Sequence, residues 1–319
     1  MEYREFGQTG FRVSCLGFGG AAISGEGGGY GFGEISETDA IDLVKRAYDL
    51  GINLFDTAPI YGFGESERRM GKALRSIRDK VWIVSKSGVS WHPNRRVNMS
   101  NDPKITLNML EQSLRDLNTD YIDLFMIHWP DQRVDIRRPM EVLAKAQHEK
   151  KIRFIGLSNT FPDDFLKASE IAKVEILQAE YNAFTRYPEE ELWPLLKSHH
   201  LGFMSWGTLD KGILTGRVSD EKRKFDSSDA RSHAPWWKGQ DRSWKYQVVE
   251  KLKPVLDEFE VTPLQMCVGY VLSQPQVSTA LCGARTVSQL EGLAAATKKP
   301  LPAELFNEIR ILVDKYRPT

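Results

Sequence analysis

Along the chain, short apolar runs rich in β-branched and aromatic residues alternate with longer stretches whose apolar positions recur at helical spacing. The short runs predict strands at Ser14–Phe18, Asn53–Asp56, Val81–Lys86, Tyr121–His128, Arg153–Ser158, Ile176–Tyr181, Gly202–Trp206 and Ser278–Gly283. Between them the spacing predicts helices at Ala40–Leu50, Glu65–Ser76, Lys104–Leu117, Pro139–Lys150, Pro162–Lys173, Glu189–His199, Ser243–Phe259 and Val287–Ala296. The first opens at Ser36-Glu37-Thr38-Asp39, carries Ile41, Val44 and Ala47–Tyr48 on one face, and stops at Gly51. Two further helices, Pro263–Ser273 and Pro302–Tyr316, fall outside the simple alternation.

Apolar runs that alternate with helices argue for parallel strands joined by right-handed crossovers. Successive strand starts are mostly spaced by roughly the 30 residues of one strand–helix–strand unit. The exception follows Trp206, where a long polar, tryptophan-bearing stretch and two helices intervene before Ser278. Long excursions in a barrel belong at the C-terminal ends of the strands. No repeat, linker or low-complexity tract marks a boundary. The expected fold is therefore α/β, a single (β/α)8 barrel domain over residues 1–319 with extra helices and a long loop after the seventh strand. A doubly wound sheet would share the same alternation.

Hydrophobic residues make up 41% and charged residues 27% of the 319, an ordinary globular balance. Lys plus Arg and Asp plus Glu both number 43, so the net charge of zero offers no overall attraction to nucleic acid or an anionic membrane. No apolar run approaches a membrane span, and MEYREFGQTG has no signal-peptide core. Cys15, Cys267 and Cys282 lack metal-ligand spacing and read as buried thiols in a reducing compartment, so a cytoplasmic protein is expected.

Some motifs mislead. Gly17-Phe18-Gly19-Gly20-Ala21-Ala22 fits a dinucleotide fingerprint, but that pattern works only where a helix opens at its second half. Here the glycine-rich run Ser24–Gly33 follows, which no regular helix tolerates. Gly71-Lys72 has Ser66 where a phosphate loop needs its leading glycine, and His199-His200 has no third ligand at useful spacing.

More informative are the ends of three successive strands. Asn53-Leu54-Phe55 ends at Asp56 with Tyr61 beyond it, Val81–Ser85 ends at Lys86, and Asp123–Ile127 ends at His128. In a barrel such ends converge on one face. A structural ion pair with a nearby core tyrosine is the plain alternative. Together the four residues could act on a carbonyl. Lys86, held by Asp56, would lower the phenol pKa of Tyr61 toward proton donation, and a neutral His128 would orient the carbonyl oxygen. No side chain supplies hydride, so such a reduction needs a nicotinamide cofactor.

Phe55-Asp56-Thr57-Ala58-Pro59-Ile60-Tyr61-Gly62, Ser85-Lys86, Asp120–Leu124 running to His128-Trp129-Pro130, Ile155–Asn159, the Gln178 strand and Gly283-Ala284-Arg285-Thr286 resemble the aldo-keto reductase superfamily. The resemblance runs in order over nearly the whole chain. It implies a barrel that binds NADPH, or NADH, in extended form, with Tyr61 as general acid, Asp56 and Lys86 tuning it, and His128 orienting the substrate. It further implies that Ser158, Asn159 and Gln178 hold the nicotinamide carboxamide and that Trp206 stacks on the ring. Thr208, Leu209 and Lys211 belong to a loop over the pyrophosphate, with Thr208 where a proline is common. Gly19, Gly20 and Gly283 would line the cofactor path, and Arg285 with Gln289 would meet the 2′-phosphate. Where relatives carry a Glu-Asn pair near the adenine, this chain has Gly292-Leu293.

The expected partner is a small-molecule carbonyl substrate. Trp91, Trp129 and Trp236, the last beside Trp237 and Trp244, are candidates for an aromatic mouth, although each could instead pack a loop onto the barrel. The Gly25–Gly33 segment reads as an access loop or a tolerated insertion. Two other functions fit the same residues. One is a nicotinamide-binding regulatory or channel-associated subunit on the same fold, and the other is a metal- or phosphate-dependent barrel enzyme.

Overall fold

The computed structural model describes residues 1–219 and 224–318. Its strands are β1 (Tyr3–Glu5), β2 (Arg12–Ser14), β3 (Leu16–Gly19), β4 (Leu54–Asp56), β5 (Trp82–Ser87), β6 (Val89–Trp91), β7 (Val97–Met99), β8 (Ile122–Ile127), β9 (Ile152–Ser158), β10 (Ile176–Glu180), β11 (Gly202–Trp206) and β12 (Thr279–Cys282). The helices are α1 (Glu37–Asp49), α2 (Glu65–Leu74), α3 (Pro103–Leu117), α4 (Arg137–His148), α5 (Pro162–Ser169), α6 (Pro188–Glu191), α7 (Trp193–His199), α8 (Ser243–Glu258), α9 (Pro263–Leu272), α10 (Val287–Ala296) and α11 (Ala303–Tyr316). Strands β3, β4, β5, β8, β9, β10, β11 and β12 close in that order into a parallel barrel ringed by helices, the (β/α)8 architecture expected. Among the described residues no helix is long and apolar enough to cross a membrane.

Local signals set the helix starts. Ser36 accepts the Asp39 N–H at 3.0 Å, Asp102 caps α3 with Pro103 behind it, and Thr262 and Gln265 cap α9 reciprocally. The predicted helix Glu189–His199 is broken into α6 and α7 at Leu192, because Pro194 has no N–H to continue the ladder. Two hairpins add to the elements that the sequence predicts. Strands β1 and β2 pair antiparallel, and β6 pairs with β7. The predicted strand Ser14–Phe18 is accordingly divided, its start in the first hairpin and its end in the barrel.

Inward and outward positions alternate along each barrel strand. Leu54, Trp82, Val84, Leu124, Met126, Ile176, Met204 and Leu281 form an inner cluster with Phe6 and Val13 of the N-terminal hairpin. Phe6 meets Trp82 edge-on at 5.3 Å, and Phe11 meets it at 5.1 Å, so that hairpin stops the N-terminal end of the barrel. Phe18, Phe55, Ile83, Phe125, Ile127, Ile155 and Leu177 face the helices instead.

A helix packed against this outer face carries a buried acid. Glu67 of α2 is fully buried, accepts the Ser85 hydroxyl at 2.6 Å on Oε1, and has no hydrogen-bond partner for Oε2 among the described residues. Ser113 of α3 lies 3.2 Å from the same Ser85 hydroxyl. Burial pushes the Glu67 carboxyl from 4.5 up to about 7. Between those values the folded chain retains a proton that the unfolded chain has released, so stability falls as pH rises through the window. Glu67→Gln is neutral throughout. Urea unfolding should find the variant gaining on the parent by up to roughly 3 kcal/mol between pH 4.5 and about 7 and level above it. A difference that stays constant across the window would show that Glu67 does not titrate there.

Candidate active site

The alternation that buries Leu54, Val84, Met126, Ile176 and Met204 brings Asp56, Lys86, His128, Gln178 and Trp206 two residues later onto the same inner face, one layer nearer the strand C-termini. The barrel register sets Gly19 beside Asp56 and Gln178 beside Ser158. A cavity of about 1190 Å³ opens there, lined at its floor by Asp56, Tyr61, His128, Asn159 and Gln178.

Lys86 has no solvent exposure. Its ammonium donates to both Asp56 oxygens at 2.7 Å and to the Thr57 carbonyl at 2.9 Å, which uses all its protons. Burial lowers the Lys86 pKa, and Asp56 opposes that. Tyr61 follows β4 in the turn from Ala58, its ring centroid 5.6 Å from the Lys86 nitrogen and 5.9 Å from the His128 ring. The sequence reading expects Lys86 to lower the Tyr61 pKa. The direction is instead upward, first through burial and then through the Asp56 carboxylate, since the lysine charge is already taken up by that carboxylate. The phenol is therefore protonated at neutral pH. His128 is held well below 6.5 by burial and then by Lys86, which leaves a neutral imidazole.

From Asp56 a hydrogen-bonded line crosses the barrel. The Gln178 amide donates to Asp56 Oδ2 at 2.9 Å, and the Ser158 hydroxyl donates to Gln178 Oε1 at 3.2 Å. The Asn159 amide donates to Ser158 Oγ at 3.0 Å and to the His128 carbonyl at 2.9 Å, while its own oxygen accepts the Trp206 indole N–H at 3.0 Å. Ser158 is buried behind this line and does not itself line the cavity.

Beyond Trp206 the cavity continues as an arm past Gly19, Gly20, Thr208, Leu209, Lys211, Gly283, Arg285 and Gln289, which brings the expected cofactor residues onto one path. Thr208 donates its hydroxyl to the Leu281 carbonyl at 3.0 Å, and Lys211 pairs with Glu180 at 2.7 Å, 5.3 Å from the Trp206 ring centroid. Arg285 donates to the Glu34 carbonyl at 2.6 Å, and its N–H is accepted by Gln289 at 2.9 Å. Arg217, Lys224 and Arg231 also line the arm and escaped the sequence reading. Their signal was a run of basic residues in the polar loop directly after Lys211–Gly216.

The glycine-rich segment after β3 is neither open nor free. It meets the loop after β11 through a bridge between Phe32 and Asp229, with Gly33 N–H donating to the Ser228 carbonyl at 3.1 Å and Ala230 N–H to the Gly31 carbonyl at 2.8 Å. A β-carbon at Gly29 would lie 2.5 Å from the Gly62 nitrogen, and one at Gly27 would lie 2.7 Å from the Ser227 carbonyl, so these backbones touch only because the side chains are absent. The segment brings Tyr30 and Phe32 to the cavity wall, with Tyr30 6.5 Å from Trp236. Trp129 and Trp236 line the cavity, and Trp129 meets Trp206 edge-on at 6.4 Å. Trp91 does not reach it, packing on Phe63 at 5.4 Å from the β6–β7 hairpin.

With this geometry in hand, comparison with known proteins is specific. The model of the Aldo/keto reductase family matches residues 15–314. The aldo-keto reductase YhdN of Bacillus subtilis (strain 168) is 34% identical over 98% of this chain and 94% of its own. The NADH-specific methylglyoxal reductase of Escherichia coli (strain K12) is 30% identical over 93% of each. Among solved structures, the glycerol dehydrogenase AKR11B4 from Gluconobacter oxydans superposes with a TM-score of 0.85 at 28% identity, covering 99% of this chain and 96% of that one. The chain belongs to the aldo/keto reductase family and is an oxidoreductase of the nicotinamide-dependent kind.

Proposed function

We propose that the protein reduces aldehydes or ketones to alcohols with NADPH, and that Tyr61 donates the proton to the carbonyl oxygen. The observation that carries this reading is the set of three groups at the cavity floor. A protonated phenol, a neutral imidazole and a buried ammonium–carboxylate pair lie together, at the inner end of an arm lined by Lys211, Arg217, Lys224, Arg231 and Arg285. The donor set fits a dinucleotide phosphate. The Asn159 and Gln178 amides, braced from behind by Ser158, suit a carboxamide that both donates and accepts, the Trp206 face suits a flat ring, and the basic arm suits phosphates.

When bound, the nicotinamide supplies the hydride that reaches the carbonyl carbon. The chain supplies the rest. His128, neutral, donates a hydrogen bond to the carbonyl oxygen and fixes it within reach of the Tyr61 hydroxyl. As negative charge grows on that oxygen, Tyr61 transfers its proton. The Lys86 ammonium then stabilises the phenolate left behind, an interaction that strengthens as the proton departs. Asp56 keeps Lys86 in place. Trp129, Trp236 and Tyr30 exclude water from the reacting groups and favour apolar or aromatic carbonyl compounds. Arg285 selects the 2′-phosphate and thereby NADPH over NADH.

Tyr61→Phe should lower kcat by about 10²–10⁴-fold, the usual worth of a positioned acid, while Kd for NADPH from protein-fluorescence quenching barely moves. A mutant that keeps most of its turnover would show that the proton comes from elsewhere. Arg285→Ala should weaken NADPH by about 10–100-fold and leave NADH nearly unchanged, because the lost bond is charge-assisted and serves the 2′-phosphate alone. Equal weakening of both dinucleotides in the same titration would remove that assignment.

A further inference from the structure

The aromatic rim of the cavity falls into two halves. Trp129 beyond β8 and Trp206 at the end of β11 meet edge-on at 6.4 Å, while Tyr30 and Trp236 come in from the loops after β3 and β11 and lie 6.5 Å apart. The Lys211 ammonium stands between the halves, 5.3 Å from the Trp206 ring centroid and 5.9 Å from that of Trp236, within reach of a cation–π contact with each. A strained turn carries it there. Asp210 and Lys211 have φ of 42° and 57°, a left-handed backbone that crowds a β-carbon. Such strain persists where the surroundings fix it from several sides, and it gathers at functional sites. Here the Lys245 ammonium donates to Oδ2 of the buried Asp210 at 2.7 Å, and Arg231 donates to the Lys211 carbonyl at 2.7 Å. The ammonium itself donates to Glu180 Oε1 at 2.7 Å. Glu180 ends β10 two residues after Gln178, so the alternation that turns Gln178 into the cavity turns Glu180 there as well. Gly207 lets its carboxylate in, since a β-carbon there would lie 2.9 Å from Glu180 Oε1. The Lys211 and Glu180 side chains stay 22% and 21% exposed, open to whatever enters the mouth.

We propose that Glu180 is a specificity-determining residue: by engaging Lys211 it closes the aromatic rim and cancels the positive charge there, so that the site takes neutral carbonyl compounds in preference to carboxylate-bearing ones. The proposal rests on the reading of the cavity as a carbonyl-reducing site. An ammonium left free beside two indole rings would be a ready seat for an acidic substrate, because it would replace the water that the carboxylate sheds. With Glu180 already in that seat, a carboxylate entering the mouth loses water and gains no cation. A neutral aromatic compound loses little and meets the rings. Selection thus works by withholding a partner from the acidic compound as much as by contact with the neutral one.

The test is steady-state reduction of benzaldehyde and of 4-carboxybenzaldehyde at saturating NADPH, read as the ratio of kcat/KM for the acid to that for the neutral aldehyde. Glu180→Gln frees the ammonium and should raise this ratio by about tenfold. Lys211→Met leaves the carboxylate alone on the rim and should lower it by about threefold or more. The double variant is neutral again and should return the ratio to that of the parent. General damage to the fold would depress both aldehydes alike and leave the ratio where it was. Ratios unmoved in the two single variants, with benzaldehyde still reduced by the parent, overturn this proposal alone. A parent that oxidises no NADPH with either aldehyde removes the reading of the site, and the inference with it.

Discussion

A lysine ammonium without solvent exposure sits inside the barrel, and its neutralisation constrains everything around it. Removing such an ion from water costs several kcal/mol unless its partners are close and complete. Here they are complete: two carboxylate oxygens from Asp56 and one carbonyl from Thr57 absorb the three protons. Asp56 is in turn fixed by the Gln178 amide, Gln178 by Ser158, and the line ends at the Trp206 indole through Asn159. The geometry of the site thus derives from one charge that has to be paid for by its neighbours. Burial first, and then that carboxylate, push the nearby phenol's pKa upward, so Tyr61 keeps its proton.

The barrel interior is divided along its axis. Below the ion pair lies carbon, from Leu54, Val84 and Met126 down to the hairpin residue Phe6. Above it lie polar groups and the cavity. Sealed on one side and narrowed on the other by Tyr30, Trp129 and Trp236, the pair operates where charges interact more strongly than in water. The same division keeps Glu67, on the helix side of β5, out of the cavity even though its hydroxyl partner Ser85 adjoins Lys86.

Most of this was legible in the sequence for one reason: strand side chains alternate with period two, and the site residues are the next inward position after an apolar one. Asp56 follows Leu54, His128 follows Met126, Gln178 follows Ile176 and Trp206 follows Met204, so the same periodicity that signals the strands also points to the site. The rest was hidden where periodicity is absent. The hairpins at Tyr3–Ser14 and Val89–Met99 are too short to show alternation, and Trp91 gave no hint that it faces Phe63 and not the cavity. Arg217, Lys224 and Arg231 lie in a loop whose course depends on contacts with the distant glycine-rich segment. The upward shift at Tyr61 comes first from burial of the phenol and then from Asp56, and burial of a loop residue leaves no periodic mark.

That contact between loops has a consequence for how the protein acquires its site. Phe32 comes from the loop after the first barrel strand and Asp229 from the excursion after the seventh, so the bridge joins segments far apart in the chain. Pairings of such long sequence separation form late, after the intervening units have found one another. A growing chain can thus possess the ion pair of β4 and β5 long before it possesses a covered cavity. Closure of that cover is therefore a late step, made only once the strands and helices between the two loops have packed together.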